Sequence, residues 1–586
     1  MAFTNLLIST CAILLLLNGC ATQSTIPASV GEGAVTQKVP TAQVETPSPE
    51  KKAKPAEGSF EPDTLYALLV AELAGQRKRY DMLLSNYLHQ ARKTRDPGIA
   101  ERATRIAIYL KADKAALAAA MLWAEAAPED TNAQQLLAIQ LIKAGQFEQA
   151  MTLLEAIQIE TGEANFEYLA ASTKDLNQSE RNKILTHFDR LLGSYPNNTK
   201  LLFGKTILLQ INGRGDDALK TANALYELKP DTRNQLLRIR LLHQLGKTKE
   251  ALKLLTQSLQ EDPADKQVRL LYAQLLIDTK ALPAAYKQFS ILVEQNPWDS
   301  QLRLTLALLA MENNQPDEAK LNLTLLLRDD RFAQDAHYYL AQLAEQQQPE
   351  EAITHYQQVI SGDKAISAHA QMGKLLLMRQ QKSEMQQIFR QSRIKNPDNS
   401  ENFYMLEADL LAKYGYAQDG IQLLTEALNQ FPADINLLYA RAMAAEKTND
   451  LAAMEHDLRI ILGKEPDNAN VLNALGYALA DRTDRYHEAL ELISRAAQLK
   501  PNDPAITDSL GWALFRLGNY QEAIKLLEKA LAEFPDHEVA AHLGEVLWAT
   551  GQYERAQQIW DKALESKPDS LIIKRVLERL NPEQLK

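Results

Sequence analysis

Side chains that could carry out covalent chemistry are few in this 586-residue chain. Its two cysteines, Cys11 and Cys20, both lie at the extreme N-terminus, so the body of the chain offers no thiol nucleophile and no disulfide framework. None of the short patterns that organise a serine nucleophile, a zinc site, a phosphate loop or a redox dithiol occurs in the sequence. We therefore expect no enzyme activity and no cofactor.

The ten histidines are scattered along the chain. His537 and His542 stand five residues apart across a predicted loop, so they do not have the spacing of metal ligands on one helix face. We expect both to be solvated at the surface and predict no metal site. The chain carries 64 basic and 75 acidic residues, a net charge of −11. Because a nucleic-acid surface needs a basic face, we expect no nucleic-acid partner.

The elements that organise the chain are clearest between residues 470 and 568, where three segments share one pattern. Each has a Leu-Gly pair, then an Ala, a bulky apolar residue four positions later, a second Ala and a closing Pro. The three sets are Leu475-Gly476, Ala489, Ile493, Ala496 and Pro501; Leu510-Gly511, Ala523, Leu527, Ala530 and Pro535; and Leu543-Gly544, Ala556, Trp560, Ala563 and Pro568.

This pattern resembles the tetratricopeptide repeat (TPR), a helix–turn–helix unit of about 34 residues. The small residues let the two helices of a hairpin approach closely, and the bulky ones fill the space between hairpins. Closing prolines recur from 128 to 568 in steps close to this period or its multiples, which gives about 14 units, with the weakest pattern around 298–365. The fold class predicted is all-α, a TPR solenoid forming a right-handed superhelix.

The N-terminus reads as a targeting segment. Residues 6–17 form an apolar run too short for an ordinary membrane span, which is typical of a secretion signal. The following Leu-Asn-Gly-Cys resembles a bacterial lipobox, which implies a signal peptide over 1–19 and a lipidated Cys20. Residues 20–60 then form a disordered linker. Ala21 in place of Asp implies sorting to the outer membrane, facing the periplasm. A plain secretion signal or a displaced start is the alternative.

Residues 61–127 predict irregular helical hairpins that fit the repeat poorly. The first helix opens near Pro62, with Asp63 or Thr64 as its cap. It carries an apolar stripe with no repeat before it, so we weigh a degenerate capping repeat against a partner-docking helix. The docking residues would be Leu65, Leu68, Leu69, Leu73 and Tyr80. The TPR array is assigned to 128–568, and a C-terminal capping helix and tail to 569–586.

Projecting the repeat onto the sequence places the first helix of each hairpin along a concave groove. The residues of the candidate partner-binding surface are Arg240, Asn470, Asn473, Tyr477, Trp512, Phe515 and Trp548. Aromatic groups supply large contact area at low cost in rotamer entropy. The alternative is that some of them pack between repeats. The Lys/Asn carboxylate clamp of chaperone-binding TPRs is not evident.

The whole architecture resembles the large TPR lipoproteins of γ-proteobacteria: a lipobox, a Pro-rich linker, the opening Leu-Tyr-Ala-Leu-Leu-Val-Ala-Glu-Leu-Ala-Gly-Gln-Arg and about 14 repeats. The resemblance implies an adaptor that binds and activates a carboxyl-terminal processing protease, a PDZ-containing serine protease, and delivers peptidoglycan hydrolases to it. The alternative is a scaffold for outer-membrane, pilus or exopolysaccharide-export assembly. A third possibility, that the chain is itself a peptidoglycan hydrolase, is disfavoured because no catalytic motif is found and repeats occupy the chain.

Overall fold

The computed structural model describes residues 61–162, 164–432 and 434–580. Within these ranges the chain forms 31 α-helices, one short 3-10 turn and no β-strand, which confirms the all-α TPR solenoid. No helix in these ranges has the length and apolar character needed to cross a membrane. The predicted signal peptide, Cys20, the linker up to residue 60 and the tail beyond residue 580 lie outside the described residues.

The chain divides into two compact units between Gln315 and Pro316, inside the stretch where the closing prolines are missing. The described helices of the first unit are α1 (Pro62–Gln76), α2 (Tyr80–Thr94), α3 (Pro97–Tyr109), α4 (Asp113–Ala126), α5 (Thr131–Lys143), α6 (Phe147–Thr161), α7 (Phe166–Ala171), α8 (Gln178–Ser194), α9 (Thr199–Ile211), α10 (Gly215–Leu228), α11 (Thr232–Gln244), α12 (Thr248–Glu261), α13 (Lys266–Asp278), α14 (Leu282–Gln295) and α15 (Ser300–Glu312).

The described helices of the second unit are α16 (Pro316–Leu326), α17 (Ala333–Ala344), α18 (Pro349–Tyr356), α19 (Ala365–Met378), α20 (Lys382–Lys395), α21 (Ser400–Lys413), α22 (Ala417–Gln430), α23 (Ile435–Lys447), α24 (Leu451–Lys464), α25 (Ala469–Arg482), α26 (Tyr486–Leu499), α27 (Pro504–Arg516), α28 (Tyr520–Glu533), α29 (His537–Ala549), α30 (Tyr553–Ser566) and α31 (Leu571–Leu580). The 3-10 turn, Pro397–Asn399, precedes α21. Sequential helices pack as antiparallel hairpins because the turns between them are short.

Each hairpin is delimited by residues with specific backbone roles. The first helix often begins at an Asp or Asn whose side chain accepts a hydrogen bond from a free backbone N–H, as Asp503 does from Ala505 N at 3.0 Å. The turn inside the hairpin requires positive φ, which Gly518 and Gly551 supply at +83° and +78°. The first described helix, α1, departs from this pattern. It begins at Pro62 with Glu61 as its N-cap and no side-chain cap, so the predicted Asp63 or Thr64 cap is wrong. Proline at the first helical position needs no N–H partner, which explains the earlier start.

The predicted close approach of the two helices in a hairpin is confirmed. A Cβ added at Gly476 would lie 2.5 Å from Ile493 Cγ1 and 3.0 Å from the backbone oxygen of Ala489. The same geometry recurs at Gly544, where an added Cβ would lie 2.1 Å from Trp560 Nε1. The bulky partners Ile493 and Trp560 are fully buried. Glycine is therefore required at these positions by space and not by backbone conformation.

We predict that Gly476→Ala lowers the free energy of unfolding by about 1–3 kcal/mol, because the added methyl group overpacks the helix contact. The matched control is Gly463→Ala in α24, where an added Cβ would meet nothing within 4 Å. That control should raise stability by up to about 1 kcal/mol, since alanine favours the helix. Urea unfolding followed by circular dichroism measures both. Equal effects of the two substitutions would contradict the packing argument.

Candidate protein-binding surfaces

The first helix presents an uncovered apolar face among the described residues. Leu65, Leu69 and Leu73 recur every four residues and are 52%, 56% and 53% exposed. Leu68 is half-buried and packs against the hydrophobic core cluster that contains Ala71 and Leu83. The opposite face of α1 is thus anchored, and the stripe faces outward. Contiguous exposed apolar side chains of this kind are typical of interaction sites.

Polar bonds fix the orientation of α1 on the next two helices. Tyr87 Oη donates a hydrogen bond of 2.6 Å to Glu72 Oε1, and Arg102 Nη2 lies 3.1 Å from the same oxygen. The Tyr87 hydrogen bond and the Arg102 guanidinium lower the pKa of Glu72. Burial and the neighbouring carboxylate raise the pKa of Tyr87 to about 12. The carboxylate therefore stays ionised at neutral pH, and the stripe is held on a rigid support.

The edge of this surface is formed by the turn between α1 and α2. Tyr80, predicted as a docking residue, is 37% exposed. Arg77 and Lys78 in the turn are exposed as well, while Arg79 pairs with Asp81 at 3.1 Å. The candidate docking surface is therefore an apolar stripe with a basic end.

The second candidate surface lies in the second unit, where the first helices of three successive hairpins meet on one side. Tyr477 Oη on α25 lies 3.1 Å from His542 Nε2 on α29, a contact that passes over the intervening helix α27. From α27, both carboxylate oxygens of Asp508 lie 3.0 Å from His542 Nδ1. Trp512 stacks on the imidazole at a ring separation of 4.4 Å. The contact between Tyr477 and His542 joins residues 65 positions apart.

His542 is 6% exposed, so the expectation that it is solvated is wrong. Burial alone would lower its pKa, but the Asp508 carboxylate outweighs that effect, and the pKa of His542 is raised above 6.5. A signal was available in the sequence, because His542 stands between Ala541 and Leu543 on a helix whose small and apolar residues face inward. A polar residue in that position needs a buried partner, and Asp508 one repeat earlier supplies it.

The residues projected onto the groove are not equally exposed. Trp512 is 4% exposed, so it packs inside, as the alternative interpretation allowed. Asn473 is half-buried, and its Oδ1 atom is buried without a hydrogen-bond partner. Asn470 is exposed and accepts a hydrogen bond of 2.9 Å from Lys500 Nζ.

The remaining projected residues are accessible to different degrees. Tyr477, Phe515 and Trp548 are half-buried. Trp548 rests against Trp560 with ring centroids 5.8 Å apart. Arg240 is exposed on α11 in the first unit.

Two family descriptions, both of the tetratricopeptide repeat, match the chain, one over residues 242–297 and 514–580 and the other over 304–382 and 439–504. A TPR repeat-containing protein of Pseudomonas aeruginosa is 49% identical over 504 residues, which cover 86% of this chain and 85% of that protein. The chain belongs to the tetratricopeptide-repeat family. TPR arrays bind protein partners and are typically noncatalytic, so this chain is a protein–protein interaction scaffold.

Two further similarities are weaker. Bacteriophage adsorption protein A of Escherichia coli is 36% identical over 94 residues, covering 16% of this TPR chain and 9% of that protein. The APC/C hetero-tetramer Cut9–Hcn1 is 15% identical, with 88% of this chain and 96% of that chain covered, at a TM-score of 0.31. At that score the likeness carries no argument about function. Among the described residues, no group of three or more His, Cys, Asp or Glu side chains could hold a metal ion.

We predict that Asp508→Asn lowers stability more at pH 6 than at pH 9. The folded pKa of His542 is raised. The stability that its charge contributes is therefore fully present below the unfolded pKa of about 6.5 and is lost as pH rises through the folded pKa. Removing the carboxylate leaves a buried charge unpaired, which costs about 3 kcal/mol at the lower pH.

Urea unfolding across this pH range measures the effect, with Asp561→Asn, an exposed carboxylate on α30, as control. A pH-independent loss from Asp508→Asn would show that the pair does not carry a charge.

Proposed function

We propose that this TPR protein is a lipid-anchored adaptor that binds and activates a carboxyl-terminal processing protease and presents peptidoglycan hydrolases to it. The observation that carries the proposal is the exposed stripe of α1, the helix in which the resemblance to γ-proteobacterial TPR lipoproteins is most specific. The similar protein of Pseudomonas aeruginosa supports the scaffold role and leaves the partners open.

The docking step uses the stripe as one half of a helix-on-helix or helix-in-groove contact. In such a contact, apolar residues spaced every three or four positions on one helix face act as the anchor residues. α1 has 15 residues, which corresponds to about 22 Å of helix, enough for several turns of a partner helix. The salt bridge between Glu72 and Arg102 holds α1 in place, so binding need not order a loose segment.

Substrate presentation is assigned to the first helices of the repeats in the second unit. Tyr477, Phe515 and Trp548 keep part of their rings accessible and are held by packing, as anchor residues at interfaces usually are. The net charge of −11 suits basic partners, and cell-wall hydrolases are often basic. Buried Trp512 then supports the surface and does not contact the substrate.

Anchoring is assigned to Cys20, which would be lipidated at the outer membrane, with residues 21–60 as the tether. Ala21 in place of Asp supports outer-membrane sorting. A tether of Thr, Ser, Pro and Ala would let the repeats stand off the membrane and reach soluble periplasmic partners.

We predict that Leu69→Asp reduces protease activation at least tenfold while hydrolase binding is retained, because the charge disrupts only the stripe. Ile159→Asp is the control, since Ile159 is 66% exposed on α6, away from α1. Deletion of residues 61–93 should have the same effect as Leu69→Asp. The assay is cleavage of a hydrolase by the purified protease with each variant. Undiminished activation by both stripe variants would refute the docking assignment.

We predict that Cys20→Ser abolishes incorporation of labelled palmitate and moves the protein from the outer-membrane fraction to the soluble periplasm. Cys11→Ser should leave both unchanged, since that residue is removed with the signal peptide. Fractionation and labelling in the native host measure the two effects. Retention of the label after Cys20→Ser would overturn the lipid assignment.

Affinity capture with residues 21–586 as bait separates this function from the alternative. Recovery of a carboxyl-terminal processing protease and hydrolases, with the protease lost on deletion of 61–93, supports the adaptor. Recovery of an outer-membrane β-barrel, pilus or exopolysaccharide-export complex supports the assembly scaffold instead.

A further inference from the structure

The second unit contains an open cavity of about 710 Å³ between α20, α21 and α22. Its size falls in the range of sites for small molecules and short peptides. Unlike most such sites, its lining is largely polar and charged. The lining groups used below are Gln386, Arg390, Arg393, Glu407, Gln422 and Glu426.

The floor of the cavity is charged at positions that are leucine in several later repeats. Glu407 precedes the small residue Ala408, in the place held by Leu475 and Leu510 in later repeats. Arg393 follows Ser392, in the place held by Leu531 and Leu564 after their own small residues. These later repeats show that leucine can fill both positions, so the helix packing does not require the two charges.

The two charges meet in the interior. Arg393 Nη1 pairs with Glu407 Oε2, and the side chains are 8% and 1% exposed. The Arg393 guanidinium also lies over the ring of Tyr404, 4.1 Å from its centroid. A buried ion pair is often no more stabilising than the apolar residues it replaces, because both charges are desolvated. Stability alone therefore does not account for this pair.

Opposite charges stand on the two walls above this floor. Arg390 on α20 and Glu426 on α22 are exposed, and neither forms an ion pair with another residue in the described ranges. Burial raises the pKa of Glu407, and Arg390 opposes that shift while Glu426 adds to it, so both wall charges act at the floor. Gln422 Nε2 donates a hydrogen bond of 3.3 Å to Glu426 Oε1, and the side-chain amide of Gln386 lines the opposite wall with a donor and an acceptor suited to peptide groups.

We propose that this cavity binds a short peptide with both ends free, with the peptide carboxylate on Arg390 and its ammonium group on Glu426. The buried pair of Arg393 and Glu407 forms a polar floor that disfavours an apolar ligand. Of the carboxylates that line the cavity, Glu407 is paired with Arg393 and Asp419 with Lys382, so the charge of Glu426 is the one left to attract an ammonium group. The inference concerns a site within the second unit and stands independently of the protease-adaptor proposal.

A randomised tripeptide library with free termini tests the proposal, with bound peptides detected by native mass spectrometry on the detergent-solubilised full-length protein. Peptides of this library should bind, and matched libraries with an acetylated N-terminus or an amidated C-terminus should bind at least tenfold more weakly. Absence of binding, or equal binding of the blocked libraries, would overturn the proposal.

Variants locate the site and separate binding from folding. Arg390→Gln and Glu426→Gln should each weaken binding at least tenfold, while Lys395→Gln, an exposed cation on the same helix α20, should not. The double variant R393L/E407L restores the residues of the other repeats. It should fold with an unchanged or higher Tm and lose peptide binding. Binding retained in this folded double variant would refute the role of the charged floor.

Discussion

The contact between a small residue of one helix and a bulky residue of the next is the constraint on which each hairpin depends. Gly544 leaves its space to the indole of Trp560, and Gly476 leaves its space to Ile493. Because the two helices touch at that point, the remaining side chains of a hairpin either pack against the adjacent hairpins or face solvent. No hairpin completes a core alone, and the core clusters accordingly run through several hairpins.

The dependence of each hairpin on its neighbours affects α1, the first described helix. A helix in the interior of a solenoid has a neighbour on each side, whereas α1 has described neighbours only on the side of α2 and α3. Leu68 and Ala71 face them, and Leu65, Leu69 and Leu73 are left on the other side. A purely capping helix would carry polar residues on its outer face. Three leucines with the same spacing instead favour a surface made for a partner.

The fold and the α1 stripe could be predicted from the sequence because both depend on local spacing. The Leu-Gly pair, the turn glycine and the closing proline each act within one hairpin, and a stripe at every fourth residue needs only one helix. The buried pair of Asp508 and His542 could not be found in the same way. It joins residues 34 positions apart, so the position of His542 on its helix indicates burial but does not identify Asp508 as its partner. The burial of Trp512 could not be predicted for the same reason, since the imidazole of His542 covers its ring.

Glu407 and Arg393 occupy positions that hold leucine in later repeats, and this comparison marks their charges as unusual. Arg441 precedes Ala442 in the same position as Glu407, one repeat later, and its guanidinium forms a two-point pair with the buried carboxylate of Asp457, at 2.7 and 2.8 Å. The same guanidinium donates to Thr425 Oγ1 on α22 at 3.1 Å. Thr425 adjoins Glu426, so the second buried pair braces the cavity wall opposite Arg390. Since each repeat contacts mainly its neighbours, the free-energy cost of burying these charges affects only the repeats next to them. An array can therefore hold a polar site in two adjacent repeats without loss of the packing elsewhere.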